Sequence, residues 1–225
     1  MSKLIGIVGD TGTGKSTSVR HLDPKTTFYV NVASKEMPFR GSAKIYNVAA
    51  KNYIEIENPK QIESVLQQVH EKAPHIKSVI IDDANYLMGF TLIKKATEVG
   101  FTKFSLMAQD MLNMLMKAKK LRDDLTIFYM CHPEAVMDEE KIIAYKMKTS
   151  GKAIDTQIKL DGLFSTVLYT YVETDKDGKS TYQFLTNRMG LYPAKSPDGM
   201  FDELLIPNNL EIVSQKVNAY YNEEQ

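Results

Sequence analysis

A glycine-rich octapeptide near the start of the chain has the residue types and spacing needed to hold a phosphate. Residues 9–16 read Gly-Asp-Thr-Gly-Thr-Gly-Lys-Ser and match the pattern G-x-x-x-x-G-K-[ST]. Glycines let successive N–H groups converge on phosphate oxygens, the lysine reaches the β- and γ-phosphates, and the serine ligates Mg²⁺. We therefore predict a Mg²⁺-nucleotide site. Its predicted nucleotide-binding residues are Gly9, Asp10, Thr11, Gly12, Thr13, Gly14, Lys15, Ser16 and Thr17.

Two adjacent carboxylates at the end of a hydrophobic run fit the same chemistry. The run Val79-Ile80-Ile81 is followed directly by Asp82 and Asp83. A magnesium-bound nucleotide needs a further oxygen ligand from a neighbouring strand, and Asp82 is predicted to hold Mg²⁺ directly or through water. Asp83 is predicted to be the general base that polarises the attacking water. The alternative is that Asp83 caps a segment starting at Ala84.

Two other polar residues follow predicted strands. Glu36 lies just beyond the second strand and is a rival for the role of general base. His132 follows the fourth strand directly, where its side chain could contact the γ-phosphate and report its presence to the next loop. The alternative for His132 is a structural histidine with satisfied hydrogen bonds.

These candidates need a sheet that brings strand ends together, and the order of elements predicts one. Buried hydrophobic runs alternate with helical patterns, which is typical of an α/β fold with a mostly parallel sheet flanked by helices. The predicted strands are Leu4–Val8, Thr27–Val32, Lys77–Asp82 and Leu125–Cys131, and the predicted helices are Lys15–Leu22, Pro59–Glu71 and Thr102–Asp124. Methionines recur at helical spacing in the last helix, and we expect them in the core rather than in a ligand site.

The second half of the chain has a different pattern. Leu163–Val172 and Ser180–Thr186 are β-like runs joined by a segment that ends in Asp177-Gly178, a strong hairpin signal. They predict a C-terminal antiparallel extension of the sheet, followed by a final helix capped by Asn208 or Asn209. We expect one domain over residues 1–225, with a nucleotide-binding core over 1–150 and the antiparallel strands and last helix over 151–225.

Composition limits the classes of partner and the location. The chain of 225 residues has 28 basic and 28 acidic side chains, and its formal net charge of zero excludes global attraction to nucleic acid or an anionic membrane. The single cysteine, Cys131, cannot form an internal disulfide. The N-terminal apolar run is too short for a secretory signal, and no run approaches a membrane span. We expect a cytoplasmic protein with no membrane partner.

One segment departs from this neutral balance. We expect residues 133–156 to form a flexible loop whose lysines surround Tyr145, a combination that single-strand contacts use. The candidate DNA-binding residues are Lys141, Lys146, Lys148 and Lys152. Taken alone, a lysine-bearing loop is more often simply solvated.

Absent motifs narrow the class of nucleotide-binding protein. The sequence contains neither the Asn-Lys-x-Asp segment of GTPases nor the Leu-Ser-Gly-Gly signature of transporter ATPases. Small-molecule phosphotransferases usually surround two sets of phosphates with several arginines, and this chain has only four. A nucleotide or polynucleotide kinase is therefore the weaker alternative. An ATP-gated scaffold that binds nucleotide and barely turns over is the third.

Several further strings are distributed over almost the whole chain. They are residues 35–41 (Lys-Glu-Met-Pro-Phe-Arg-Gly), 79–88, His132, 148–152, 194–201 (Ala-Lys-Ser-Pro-Asp-Gly-Met-Phe) and 206–210. Together with the glycine-rich loop they resemble the phage-encoded RecA-like ATPases of the Sak-four group of single-strand annealing proteins. The Pro-Phe-Arg-Gly and Ala-Lys-Ser-Pro-Asp-Gly-Met-Phe strings are specific to this group, whereas the loop and the double aspartate occur in many ATPases.

The resemblance implies a RecA-like P-loop NTPase core that uses ATP and Mg²⁺ and assembles into homo-oligomeric rings or filaments. It also implies that the loop after His132 contacts single-stranded DNA during phage recombination in the host cytoplasm, with phage or host recombination and single-strand-binding proteins as further partners. A basic residue of the neighbouring subunit would complete the site; Lys195 is the first candidate and Arg188 the second. RecA-type ATPases take their base from beyond the second strand, and the register of this sequence does not align Glu36 with it.

Overall fold

An eight-stranded sheet forms the centre of the computed structural model, which describes residues 1–100, 102–149 and 158–222. The strand order is β10-β9-β8-β1-β5-β4-β2-β3, and β6 and β7 form a separate antiparallel hairpin. The strands are β1 (Lys3–Val8), β2 (Thr27–Asn31), β3 (Tyr53–Glu55), β4 (Ser78–Asp82), β5 (Thr126–Cys131), β6 (Pro133–Asp138), β7 (Lys141–Met147), β8 (Thr166–Thr174), β9 (Ser180–Leu185) and β10 (Leu205–Pro207).

Six neighbouring strands, from β8 to β3, run parallel, and β9 and β10 continue the sheet in antiparallel pairing. Every residue of β4 and β5 is buried. Both faces of these strands are covered, and this is why they read as continuous apolar runs. The predicted α/β fold, with a mostly parallel sheet and an antiparallel C-terminal extension, is confirmed.

Helices cover both faces of the sheet. On one face, α2 (Pro59–Lys72) and α4 (Thr102–Ala118) contribute Leu66 and Met111 to a buried cluster with Ile81. On the other face, α5 (Leu210–Asn222) contributes Val213 to a cluster with Ile80. Adjacent strand residues point to opposite faces, so Ile80 and Ile81 belong to different clusters. Met107, Met111 and Met114 of α4 lie in the core, as predicted. Two further helices are α1 (Ser42–Ile45) and α3 (Tyr86–Lys94).

Two predicted helices are shorter than expected. The segment predicted as a helix over Lys15–Leu22 is a 3₁₀ helix of six residues, Ser16–His21. The Ser18 hydroxyl donates to the Lys15 carbonyl, and such local side-chain bonds compete with α-helical pairing. Helix α4 ends at Ala118 rather than Asp124, because Arg122 turns back to donate to the carbonyls that end α2.

The prediction of a flexible loop over residues 133–156 is wrong for its first half. Residues 133–147 form the β6–β7 hairpin, in which Pro133 pairs with Met147 and Asp138 with Lys141. Residues 150–157 lie outside the described residues. Strand β3 and helix α3 were not predicted either, because three residues give too little strand pattern and the apolar run of α3 is short.

The C-terminal predictions are confirmed. Strands β8 and β9 form an antiparallel hairpin, and its turn contains Gly178 at φ 79°. Asn209 caps α5, since its side-chain oxygen accepts the Glu211 N–H at 2.8 Å. Strand β8 also pairs with β1, so both halves of the chain share the sheet. Among the described residues, no helix is long and apolar enough to cross a membrane.

Candidate functional site

Four parallel strands deliver their carboxyl ends to one edge of the sheet, and a cavity of about 920 Å³ lies there. Its lining includes the glycine-rich loop after β1, Lys35 and Glu36 after β2, Asp83 after β4 and His132 after β5. Crevices at this edge are where open α/β sheets bind ligands. A second cavity of about 720 Å³ lies at the opposite edge and contains none of the predicted site residues.

The glycine-rich loop, residues 9–16, adopts conformations that its glycines permit. Gly12 and Gly14 have φ of 78° and 94°. A Cβ on Gly9 would lie 1.9 Å from the Thr170 hydroxyl oxygen, so only glycine fits there. Among the described residues, the N–H groups of Gly12 and Gly14 meet no acceptor. The loop therefore presents backbone donors to the cavity, as an anion-binding nest does.

Lys15 ends this loop as a buried cation. Its side chain is 5% exposed, and Nζ donates to the carbonyl oxygens of Gly9 at 2.6 Å and Asp10 at 3.1 Å. Burial lowers the pKa of Lys15, although Asp83 and Asp82 oppose that shift. The 3₁₀ helix that follows is too short for a strong dipole, so the positive charge at this point comes from the lysine.

Asp82 is fully buried beneath the cavity and held by hydrogen bonds. Oδ2 accepts the Tyr29 hydroxyl at 2.5 Å, and Oδ1 accepts the Asp83 N–H at 3.1 Å. Burial raises the pKa of Tyr29 well above its ordinary value, as does the Asp82 carboxylate, so the hydroxyl stays a donor. Asp82 does not itself line the cavity. Carboxylate oxygens suit Mg²⁺, and their position below the loop fits contact through water.

Asp83 is the carboxylate that faces the cavity. Its φ of 57° is left-handed, a conformation that aspartate tolerates better than most residues. Oδ2 forms an ion pair with Lys35, and Oδ1 lies 3.5 Å from Nε2 of His132 and makes no hydrogen bond among the described residues. Burial opposes ionisation, but His132 and Lys35 outweigh it and hold the pKa of Asp83 below its usual range. Asp83 is therefore a charged acceptor whose Oδ1 has a polar neighbour, His132, but accepts no hydrogen bond among the described residues.

The capping alternative for Asp83 is not what the side chain does. Helix α3 begins at Tyr86, and the residue before it is Asn85. The Asn85 side-chain oxygen accepts the His132 N–H at 3.0 Å, which joins the ends of β4 and β5. The carboxylate of Asp83 instead points to Lys35 and His132.

After β2, the residue that reaches the carboxylates is Lys35 rather than Glu36. The Lys35 ammonium contacts Asp83 and lies 4.0 Å from Oδ2 of Asp82. Burial would lower the pKa of Lys35, but Asp82 and Asp83 raise it. Glu36 lines the cavity with an exposed side chain and contacts neither aspartate. Of the two candidate bases, Asp83 is buried and paired with a charged neighbour, whereas Glu36 is exposed.

His132 sits between the loop and Asp83. Nδ1 is 3.8 Å from the Asp10 carboxylate and Nε2 is 3.5 Å from that of Asp83, while the ring packs edge-on against Tyr86. A side chain in this position contacts both the loop and the carboxylate edge. The predicted sensor role and the structural role for His132 both fit these contacts.

The far wall of the cavity comes from the C-terminal half of the chain. Tyr182 of β9 is 45% exposed, and its ring lies beside Gly14. The Asn208 side chain also lies beside Gly14, and its amide nitrogen is buried with no partner among the described residues. An aromatic face and an amide next to a phosphate loop can hold the nucleoside part of a ligand.

Of the predicted DNA-binding lysines, Lys141 and Lys146 lie on strand β7 of the hairpin, and Lys148 directly follows that strand. Lys146 pairs with Glu134 at 3.5 Å, and Lys141 and Lys148 are exposed. Lys152 lies outside the described residues. Four carboxylates (Glu134, Asp138, Glu139 and Glu140) share the stretch with three lysines (Lys141, Lys146 and Lys148), so this part of the chain is not a basic patch.

The two candidates for a basic residue acting from a neighbouring subunit lie away from the cavity of their own chain. Lys195 pairs through its backbone with Val167 of β8, and its N–H donates at 2.9 Å. Arg188 is exposed after β9. Neither residue lines the cavity.

Sequence reasoning missed Lys35, Tyr29 and Asn85. Tyr29 carried a signal, because it is a tyrosine within a predicted strand. It pairs in register with Ile80, two residues before Asp82, so its side chain lies on the same face of the sheet as that of Asp82. Lys35 carried none, since its approach depends on the turn at Ser34, which has φ 50°.

No protein-family model matches the sequence. No curated protein matches it at a significant level either.

Proposed function

We propose that this protein is a Mg²⁺-dependent ATPase of the RecA-like P-loop class that binds single-stranded DNA and promotes its annealing. One observation carries the ATPase part. One cavity is lined by three kinds of group: the loop N–H groups of Gly12 and Gly14, the buried Lys15, and the charged Asp83, whose Oδ1 accepts no hydrogen bond among the described residues. Backbone N–H groups and a lysine bind phosphate oxygens, and a carboxylate can activate the water that cleaves the bond to the terminal phosphate.

The residues divide the reaction between them. The loop N–H groups and Lys15 bind the phosphates, and Ser16 with Asp82 would hold Mg²⁺, which neutralises charge on the phosphate oxygens. Oδ1 of Asp83 accepts a proton from water as the water oxygen bonds to the terminal phosphorus. The bond from that phosphorus to the bridging oxygen breaks, and the diphosphate leaves. His132 is placed to contact the terminal phosphate beside Asp83.

The walls of the cavity support a nucleoside triphosphate rather than inorganic phosphate alone. A volume of about 920 Å³ is within the range of nucleotide-sized sites. Tyr182 offers a ring for a base, and Asn208 offers an unpaired donor to a base or ribose. The choice of adenine comes from the resemblance to the Sak-four group.

The DNA-binding part rests on that resemblance. The hairpin follows His132 directly, so its first residue, Pro133, adjoins a residue that lines the cavity. The hairpin's mixed charge does not by itself attract DNA. Binding of single-stranded DNA would therefore combine the lysine charges with the ring of Tyr145; the lysines are Lys141, Lys146, Lys148 and Lys152. An oligomer would place several copies of this hairpin along one strand of DNA.

The test is MgATP hydrolysis measured while single-stranded DNA is titrated, with Lys15→Ala as the blank. We expect a saturable rise in rate for the wild type and no turnover for the variant, which should keep its circular dichroism spectrum. Real turnover with a flat DNA response would contradict the annealing part. Recovery of the γ-phosphate on a nucleoside monophosphate or a hydroxyl would indicate a kinase, and binding with no turnover would indicate a scaffold.

The neighbouring-subunit part has its own test. Lys15→Ala subunits and Lys195→Ala subunits should each be inactive, and mixed oligomers should recover some hydrolysis, because each copy supplies what the other lacks. The same mixture with Arg188→Ala tests the second candidate. No recovery in mixtures shown to co-assemble would contradict a shared site.

A further inference from the structure

Lys35 occupies the catalytic edge in a way that the proposed reaction does not use. Its ammonium forms an ion pair with Asp83 and lies 4.0 Å from Asp82. Its side chain is 44% exposed and lines the cavity, whereas both aspartates are buried. The carboxylate proposed to act on water is therefore paired with a cation on its solvent side.

The backbone of Lys35 is fixed by a hydrogen bond, and this fixes the direction from which its side chain reaches Asp83. The Asn31 side-chain amide donates to the Lys35 carbonyl at 2.7 Å and to the Tyr53 hydroxyl oxygen at 2.8 Å. Tyr53 in turn donates to Glu55 at 2.9 Å. Ser34 just before it has a left-handed φ of 50°. Fixed backbone and exposed side-chain tip are what a lysine needs to change partners.

Charge limits where Lys35 can stay when nucleotide enters. The charges of Lys15 and Lys35 balance those of Asp82 and Asp83. A divalent cation joining Asp82 would repel an ammonium group 4.0 Å from the same carboxylate. A phosphate in the cavity offers that ammonium a new anion. Because Lys35 sits on the carboxylate that faces the attacking water, the nearest phosphate is the terminal one.

We propose that Lys35 is a second phosphate-binding cation, whose ammonium group leaves its ion pair with Asp83 for the terminal phosphate of a bound triphosphate. The transfer frees Asp83 to accept the proton of water. A diphosphate lacks the group that draws Lys35 away, so Asp83 stays paired after product forms. This inference rests on the proposed nucleotide site and names the residue that distinguishes triphosphate from diphosphate there.

The experiment compares the binding of Mg²⁺ with a non-hydrolysable ATP analogue against Mg²⁺ with ADP by calorimetry. In Lys35→Met, the preference for triphosphate over diphosphate should fall by about tenfold to a hundredfold, the range for a hydrogen bond to a charged group. Lys35→Arg should keep most of the preference, because it keeps a cation of similar reach. Lys44→Met, an exposed lysine outside the cavity, is the matched control and should not change it.

Each other outcome is decisive. Equal weakening of both nucleotides in Lys35→Met, or no change, overturns the role of Lys35 while leaving the nucleotide site standing. If Lys35→Met fails to fold, Lys35→Gln is measured instead, and failure of both variants to fold makes Lys35 structural and overturns the proposal. If the wild type binds neither nucleotide, the proposed function itself fails, and this inference fails with it.

Discussion

The cavity edge and the β6–β7 hairpin meet at His132 and Pro133 but are built in opposite ways. At the cavity edge, Asp82 is fully buried and Asp83 nearly so, and each has polar partners. On the hairpin, Met137 and Ile143 are 52% and 50% exposed and pack into neither buried cluster. The difference teaches that the polar side chains of the cavity edge are fixed by buried partners, whereas the hairpin leaves apolar side chains exposed to solvent.

The largest effect should come from the fixed region. Asp83→Asn should lower kcat for MgATP hydrolysis by about a hundredfold to ten-thousandfold, because the amide cannot accept a proton from water. Asparagine tolerates the left-handed backbone at this position, so the fold should remain. The hairpin substitution Asp138→Asn is the matched control and should leave kcat unchanged. Equal turnover in the two variants would remove the catalytic distinction between the regions.

The next effect concerns the support beneath Asp82. Tyr29→Phe should lower the free energy of unfolding by about 1–3 kcal/mol, because a buried carboxylate oxygen loses its hydroxyl donor. The exposed Tyr182→Phe is the control and should change the urea midpoint little. A Tyr29→Phe midpoint equal to that of the wild type would mean that the bond to Asp82 contributes nothing to stability.

A smaller effect of opposite sign is expected where the hairpin ends. Asp161 accepts the Met147 N–H at 3.2 Å, and burial raises its pKa despite that bond and the nearby Lys195 and Lys146. A raised folded pKa gives stability that is full below the ordinary value of 3.8 and lost as pH rises through the folded value. Asp161→Asn keeps the acceptor and cannot ionise.

Asp161→Asn should therefore be more stable than the wild type at pH 7, by up to about 1 kcal/mol after allowance for solvent screening. The gain should shrink as the pH falls toward 3.8. Urea unfolding of both proteins at pH 7 and pH 4 measures it. A gain that is larger at pH 4 would reverse the sign of the argued shift.

The smallest effect should come from the exposed strand surface. Ile143→Thr should change the free energy of unfolding by less than about 0.5 kcal/mol, because half of the side chain already contacts water. The matched Ile81→Thr, at a fully buried position of β4, should cost roughly 2 kcal/mol or more. Thermal unfolding of both variants checks the difference, and similar losses would place the hairpin within the core.

Much of the fold was predictable because burial leaves a direct pattern in the sequence. The runs at Leu4–Val8 and Ile127–Cys131 are almost entirely apolar, since both faces of those strands are covered. The hairpin was not predicted because its lysines and carboxylates outweighed the short run Ile142–Tyr145 of β7. The 3₁₀ helix was missed because its geometry depends on a serine hydroxyl that bonds to the backbone.

The candidate site likewise has one part that the sequence predicts and one part that it does not. The loop and the double aspartate follow strands directly, so strand order alone brings them together. Lys35 reaches Asp83 only after a left-handed residue and an Asn31 bond set the direction of the turn. Such contacts depend on three-dimensional geometry that neither spacing nor composition records.

Strand β1 lies between β5 and β8, and this position gives the order of synthesis a consequence. Strand β1 leaves the ribosome well before Thr166–Thr174, the strand that pairs with its second edge. The Thr13 and Thr170 hydroxyls meet at 2.7 Å, so the glycine-rich loop gains its last support when that pairing forms. A nascent chain that ends before β8 has an open sheet edge at β1 and lacks the Thr170 contact to the loop. At that stage of synthesis the open edge is exposed to pairing with a wrong strand.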